Sequence, residues 1–178
     1  MIIYLRSLLR SGFLLLRHLP ALVRAYLFKG LDQRFSERLL LVVSGVNGCV
    51  YCCWFHSHVA VKRGIQTDEI SQLLTQVIPG DIPVSEHPAL IFAMQVAESD
   101  GRMDTAALLS LRSQYSAAEV KGIVALITAI HFGNLCGNTY DAFLQRLKGH
   151  PVTGSHVLLE MFVFLISAPF LLPLTGRV

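Results

Sequence analysis

The sequence predicts an all-α fold, a bundle of helices, and three observations carry that prediction. Apolar residues recur at three- and four-residue spacing along most of the 178 positions. The alternating pattern bounded by hairpin turns that marks strands is absent. Capping residues and glycines divide the apolar stretches into lengths that suit helices.

Residues 2–28 read as one or two helices divided near Pro20. Arg6, Arg10, Arg17 and Arg24 lie 4, 7 and 7 apart and so share a stripe, with leucines opposite. The pattern suits a helix packed on the domain or on a neighbouring subunit, and equally an interfacial membrane helix. A second helix is expected from about Arg34 to Ser44, stopped by Gly45 and Gly48 around Asn47. A third begins around Cys49 to Tyr51 and ends at Gly64, after Lys62 and Arg63, whose charges suit a helix C-terminus. Thr67 caps a short helix opening at Asp68.

Beyond the turn at 79–83, Ser85 and Pro88 open a helix that runs to Glu98 and is closed by Asp100 and Gly101. A short helix starts near Thr105. Ser116 and Glu119 form a capping box ahead of a long apolar segment, which Gly137 and Asn138 are expected to break or kink. The tail at 157–174 is the most hydrophobic stretch, but Glu160, Pro169 and Pro173 interrupt it. Its uninterrupted apolar length falls short of the ~20 residues that span hydrocarbon. A helix buried in an oligomer is expected there. The division that follows is a basic N-terminal segment at 1–30, a helical domain at 31–150 and an apolar tail at 151–178.

Apolar residues make up 53% of the chain and charged ones only 15%, more hydrophobic surface than a free monomer of this size hides. Contacts between subunits or with a membrane should absorb the excess. A net charge of +3 without a basic, aromatic-laced patch argues against nucleic acid as a partner. Residues 1–29 nevertheless hold five basic side chains and no acid. Arginines interrupt every apolar run in that segment, so it is expected to be retained rather than cleaved as a signal peptide.

Three of the four cysteines, Cys49, Cys52 and Cys53, fall within five residues. A disulfide scaffold spreads its cysteines, so this clustering points to thiol chemistry or metal binding in a reducing, cytoplasmic setting. With Cys49 in the third helix, Cys49, Cys52, Cys53 and His56 would share one face. A C-x-x-C pair spans one turn and can close a disulfide with little rearrangement. Its place at a helix N-terminus, with unpaired N–H groups and the positive end of the dipole, favours thiolate. His56 lies within reach of Cys52 to exchange its proton. Zinc bound by Cys49, Cys52, Cys53 and His56 is the rival chemistry, weakened because ligands on one helix face surround a metal poorly. Burial of small core cysteines is the plain structural alternative. No G-x-G-x-x-G motif follows a strand, so no nicotinamide or flavin cofactor is expected and electrons should come from a partner.

Glu37, Asn47, Gly48, Cys49, Tyr51, Cys52, His56, Ala60 and Gly64 together resemble the fingerprint of the alkylhydroperoxidase D-like group within the carboxymuconolactone decarboxylase superfamily. The resemblance is close over residues 34 to about 77 and looser to about 148. It implies an all-α bundle assembling into trimers or hexamers, with Cys52 attacking a peroxide and Cys49 resolving it. His56 and Glu37 would form the proton relay. Tyr51 stands where some members carry a histidine, and is counted as a further candidate site residue. The implied partners are a small hydroperoxide or disulfide substrate and an external dithiol, lipoyl or thioredoxin-like. Outside the fingerprint, Trp54, Phe55 and His58 could line a pocket, and His131, Asn134, Cys136, Asn138, Tyr140 and Asp141 could face the cleft or satisfy a kinked backbone. The competing function is a membrane-peripheral binding or assembly protein with regulatory or vestigial cysteines. The redox site is expected to remain chemically competent without residues 1–30.

Overall fold

The computed structural model describes residues 2–27 and 30–177. Among these residues eight helices follow in order: α1 Ile2–Leu27, α2 Gln33–Asn47, α3 Val50–Lys62, α4 Thr67–Leu74, α5 His87–Glu98, α6 Thr105–Gln114, α7 Ala117–Leu147 and α8 Val157–Leu171. Short 3-10 turns at Val84–Glu86 and Leu172–Leu174 complete the secondary structure, and no strand occurs among the described residues. The fold is the all-α bundle that the periodicity predicts.

The long helix α7 is the axis. α1 and α8 pack along it, and α2 lies against it while also touching α3, α4 and α5. Leu39, Leu41, Leu73, Ile82, Leu90, Ile123, Leu126 and Ile127 are fully buried between these elements. Each such side chain contributes about 1.5–3 kcal/mol on leaving water, so shared burial rather than helix propensity holds the bundle. Local signals place the helix ends. Asp32 accepts from the Arg34 and Phe35 amides at 2.9 and 3.0 Å at the start of α2. Ser116 and Glu119 make the reciprocal capping box of α7.

Ion pairs fix the packing where apolar contact ends. Buried Arg38 on α2 reaches Glu69 of α4 at 2.6 Å and Glu86 before α5 at 3.0 Å. Arg146 of α7 holds Glu160 of α8 at 2.6 Å, and Phe164 stacks on Tyr140 and packs on Phe143. Glu160, an interruption in the sequence, is thus the residue that ties the tail to the bundle.

Four boundaries differ from the sequence reading. Thr67 is the first residue of α4 rather than its cap, which is Gln66. α1 runs unbroken through Pro20. Proline removes the donor for the carbonyl of residue 16, and Leu16 lies on the exposed side, where water can replace it. Gly45 sits inside α2, because a Cβ there would lie 2.3 Å from the Leu74 carbonyl oxygen: it serves the close approach of α4 rather than a helix stop. α7 is continuous across Gly137 and Asn138 for a related reason, developed below.

The tail forms α8 with its 3-10 extension, an 18-residue run of mean hydropathy 2.2 of which 11% is buried. By length and composition it and α7 could each cross a membrane, but α7 is the bundle's core helix, 67% buried over its apolar window. On α8, Leu158, Phe162, Leu165, Ile166 and Phe170 are exposed.

Candidate active site

α2 and α3 form a hairpin whose corner sets the cysteines. Gly48 adopts φ +62°, a left-handed conformation that glycine reaches without strain, and its amide returns to the Gly45 carbonyl at 3.2 Å. The reversal leaves Cys49 as the N-cap of α3, outside the helix proper. Its sulfur stands where a capping oxygen usually does and accepts from the Cys52 amide at 3.4 Å. The two sulfurs are 2.9 Å apart, and all four thiols of the chain are free. One shared face for Cys49, Cys52, Cys53 and His56 therefore needs correcting: Cys49 caps the helix and turns inward, away from solvent.

α7 closes over the pair. A Cβ on Gly137 would lie 2.6 Å from the Cys49 sulfur, so only glycine lets the long helix come this near. Asn134 donates to the Val43 carbonyl at 3.2 Å and Asn138 to the Asn47 carbonyl at 2.8 Å, binding α7 to the last turns of α2. These asparagines position the corner and satisfy its backbone. Buried His131 faces Asn47 through Nδ1 at 3.2 Å, with Asp100 3.8 Å from its Nε2, and burial lowers its pKa. Asp100 in turn receives Arg10 and Ser7 of α1.

Cys49 is completely buried, whereas Cys52 is partly exposed. A hydrogen bond from Cys52 lowers the pKa of the Cys49 thiol, and the same bond, with burial, raises that of Cys52. The charge of a singly ionised pair thus rests on the inner sulfur. Burial pushes Cys53 and Cys136 up to about 11, which keeps both as thiols at neutral pH.

His56 stands one turn beyond Cys52, and its Nδ1 lies 2.9 Å from Oε2 of Glu37. Glu37 is fully buried on α2, and its Oε1 is 2.9 Å from Nη1 of Arg63. A buried carboxylate needs such partners to stay charged. Bonding at Nδ1 leaves Nε2 of His56 for exchange with another group.

Cys52 and His56 both line a cavity of about 470 Å³ whose other walls are apolar, among them Leu22, Val23, Leu40, Leu126 and Ile130. A larger groove of about 690 Å³ between α5 and α6 contains neither a thiol nor a histidine. Leu22 and Val23 belong to α1, in the segment that the sequence reading set apart from the site, and here they form one wall of it.

Four predicted residues thus come together: Cys49 with Cys52, and His56 with Glu37. Tyr51 does not join them. It packs on Tyr140 beside Cys49, its hydroxyl reaches Asp141 at 3.3 Å, and burial with the Asp141 charge raises its pKa to about 12. It lines no part of the thiol cavity. His58 turns to the Trp54 carbonyl at 2.7 Å, and Phe55 is exposed. No three His, Cys, Asp or Glu side chains are grouped as metal ligands among the described residues, and His56 is engaged by Glu37 rather than by the cysteines. Sequence reasoning missed Arg63 and Gly137. In the sequence Arg63 reads only as a charge at the end of its helix, and Gly137 only as a break.

A comparison with family models matches residues 15–99 to the carboxymuconolactone decarboxylase family. Over that stretch, a little under half of the chain, the sequence is similar to that family. The match includes the α2–α3 corner, Glu37, both cysteines, His56 and Arg63, and it begins inside α1, so Leu22 and Val23 fall within it. It ends with α5. The superfamily match therefore covers the redox candidates and leaves α6, α7 and α8 outside. A comparison with curated proteins finds no match.

Proposed function

We propose that the chain is a thiol-dependent peroxidase or disulfide reductase of the alkylhydroperoxidase D type, working through Cys49 and Cys52. One observation carries the reading: Cys52 shares an apolar cavity with His56 while a second sulfur waits 2.9 Å behind it. Charge favours Cys49 and access favours Cys52. Access decides, because an oxidant must touch the sulfur it oxidises, whereas a proton crosses the short contact readily.

In this scheme Cys52 gives up its proton to His56, and the thiolate attacks the terminal oxygen of a hydroperoxide. The O–O bond breaks, sulfur loses two electrons to become a sulfenic acid, and the alkoxide leaves with a proton returned by His56. The Cys49 thiol then attacks the Cys52 sulfur, and water departs as the disulfide forms. An external dithiol, lipoyl or thioredoxin-like, restores both thiols with two electrons and two protons. Glu37 holds the His56 ring, with Arg63 balancing the carboxylate. The working setting proposed is a reducing, cytoplasmic one, and the assembly a closed homo-oligomer built partly on the apolar face of α8.

The test is chemical trapping in the cysteine variants. Cys52→Ser should abolish turnover and prevent the disulfide, while Cys49→Ser should allow one oxidation and leave a dimedone-reactive sulfenic acid at Cys52. Label found on Cys49 in Cys52→Ser, at near wild-type rate, would reverse the two roles. Full activity in both variants would make the cysteines regulatory or vestigial and sink the enzyme reading.

A further inference from the structure

The outer side of α1 is an unusual surface for a water-facing helix. Leu5, Leu9, Leu16 and Val23, spaced 4, 7 and 7, form one exposed stripe with Phe13 and Leu19 beside it; Leu9, Phe13 and Leu16 are 63%, 66% and 71% exposed. Exposed Arg6, Arg17 and Arg24 run along its edge, each one position after a stripe residue. The inner side carries Ser7 and Ser11, which are buried against the bundle.

Val23 connects this surface to the site. It is 38% exposed on the outer stripe and also lines the cavity that contains Cys52 and His56. The pocket, about 470 Å³ and open to the surface, has apolar walls apart from those two residues. Cys52 and His56 can engage a peroxide group, and an acyl chain attached to it would find contact along the apolar lining.

We infer that α1 lies on an anionic lipid surface, and that the thiol cavity takes a long-chain acyl hydroperoxide from it. The docking stands on the surface alone; the substrate rests on the peroxidase reading above. Charge selects this occupant over a second α1 helix packed face to face. Residues 1–29 contain no acid, so a symmetric contact between two α1 helices would set arginine near arginine with no partner. Anionic headgroups supply the missing charge while the leucine stripe enters the acyl boundary, and arginine stems reach back to the interface. α8 is more apolar, but no Lys or Arg lies between residues 149 and 176, and this uncharged face suits contact with another subunit.

Sedimentation of the full chain with vesicles of phosphatidylcholine, alone and mixed with phosphatidylglycerol, tests the docking. The protein should bind the mixed vesicles, and binding should weaken on phosphatidylcholine alone and at high salt. Leu9→Glu with Leu16→Glu should abolish binding, and Arg6, Arg17 and Arg24→Gln should weaken it about a hundredfold. Circular dichroism would verify that these exposed substitutions leave the helices intact. Absence of vesicle binding, loss of binding only in an α8 variant such as Phe162→Ser with Ile166→Ser, or a change of oligomeric state in the α1 variant would each overturn the proposal. A second arm compares reduction of linoleoyl hydroperoxide in mixed vesicles with that of tert-butyl hydroperoxide in solution, using dithiothreitol. The α1 variant should lose activity toward the first and keep it toward the second, and equal activity toward both would overturn the substrate assignment. Inactivity of the wild-type protein toward every hydroperoxide would instead defeat the peroxidase reading, while the vesicle result still judges the docking.

Discussion

Gly137 sets how closely α7 approaches the cysteine pair. A methyl group there would stand 2.6 Å from the Cys49 sulfur, so Gly137→Ala must push either that sulfur or the helix aside. The expected outcome is a slower step from sulfenic acid to disulfide, read by stopped-flow tryptophan fluorescence, with overall stability lowered by about 1–3 kcal/mol. An unchanged rate would show that the contact relaxes without cost to the pair. For the relay, Glu37→Gln and His56→Gln should each slow turnover by about 100-fold to 10,000-fold if general acid–base help is lost. Because Glu37 acts through His56, the double variant should lose less than the product of the two, and full multiplicativity would uncouple them. The residues legible in the sequence share a trait: Cys49, Cys52 and His56 lie within eight positions, and Glu37 stands conspicuously beside an apolar run. Gly137 and Arg63 were not legible in their roles, since each depends on a contact between segments distant in sequence.

Helix ends followed local chemistry at several caps, though not at Thr67, which lies inside α4. Asp32, Ser116 and Gly48 act as their side chains, or the lack of one, dictate. Local rules misled where a residue answers to another helix. Gly45 reads as a stop but makes room for α4, and Gly137 reads as a break but makes room for a sulfur. Tyr51, counted as a candidate because it stands where the resembling sequences carry a histidine, packs beside Cys49 with its ring on Tyr140 and its hydroxyl toward Asp141. Arg38 is the strongest test of how elements are joined, because one buried guanidinium serves two carboxylates on separate segments. Arg38→Met strands both acids. It should cost about 3–5 kcal/mol in urea unfolding, and a loss below about 1 kcal/mol would show that water enters and replaces the arginine.

At the scale of the whole molecule, the excess of apolar residues has found only part of its cover. The inner faces of α1 and α8 pack on α7, while the outer face of α8 remains apolar and exposed. The full chain should therefore run as a closed oligomer in light scattering at micromolar concentration. Phe162→Ser with Ile166→Ser should shift it toward smaller species, and a stable wild-type monomer would contradict the assembly. The burial of Cys49 behind Cys52 carries one more consequence, for the direction of the return half-reaction. Were the pair oxidised, an incoming reductant could reach only the outer sulfur, so the transient mixed disulfide would form at Cys52. Cys49, whose thiolate the site already stabilises, would then be the departing group, and a low-pKa thiol departs fastest. The same enclosure that hides one sulfur from the oxidant thus makes it the better leaving group when electrons come back.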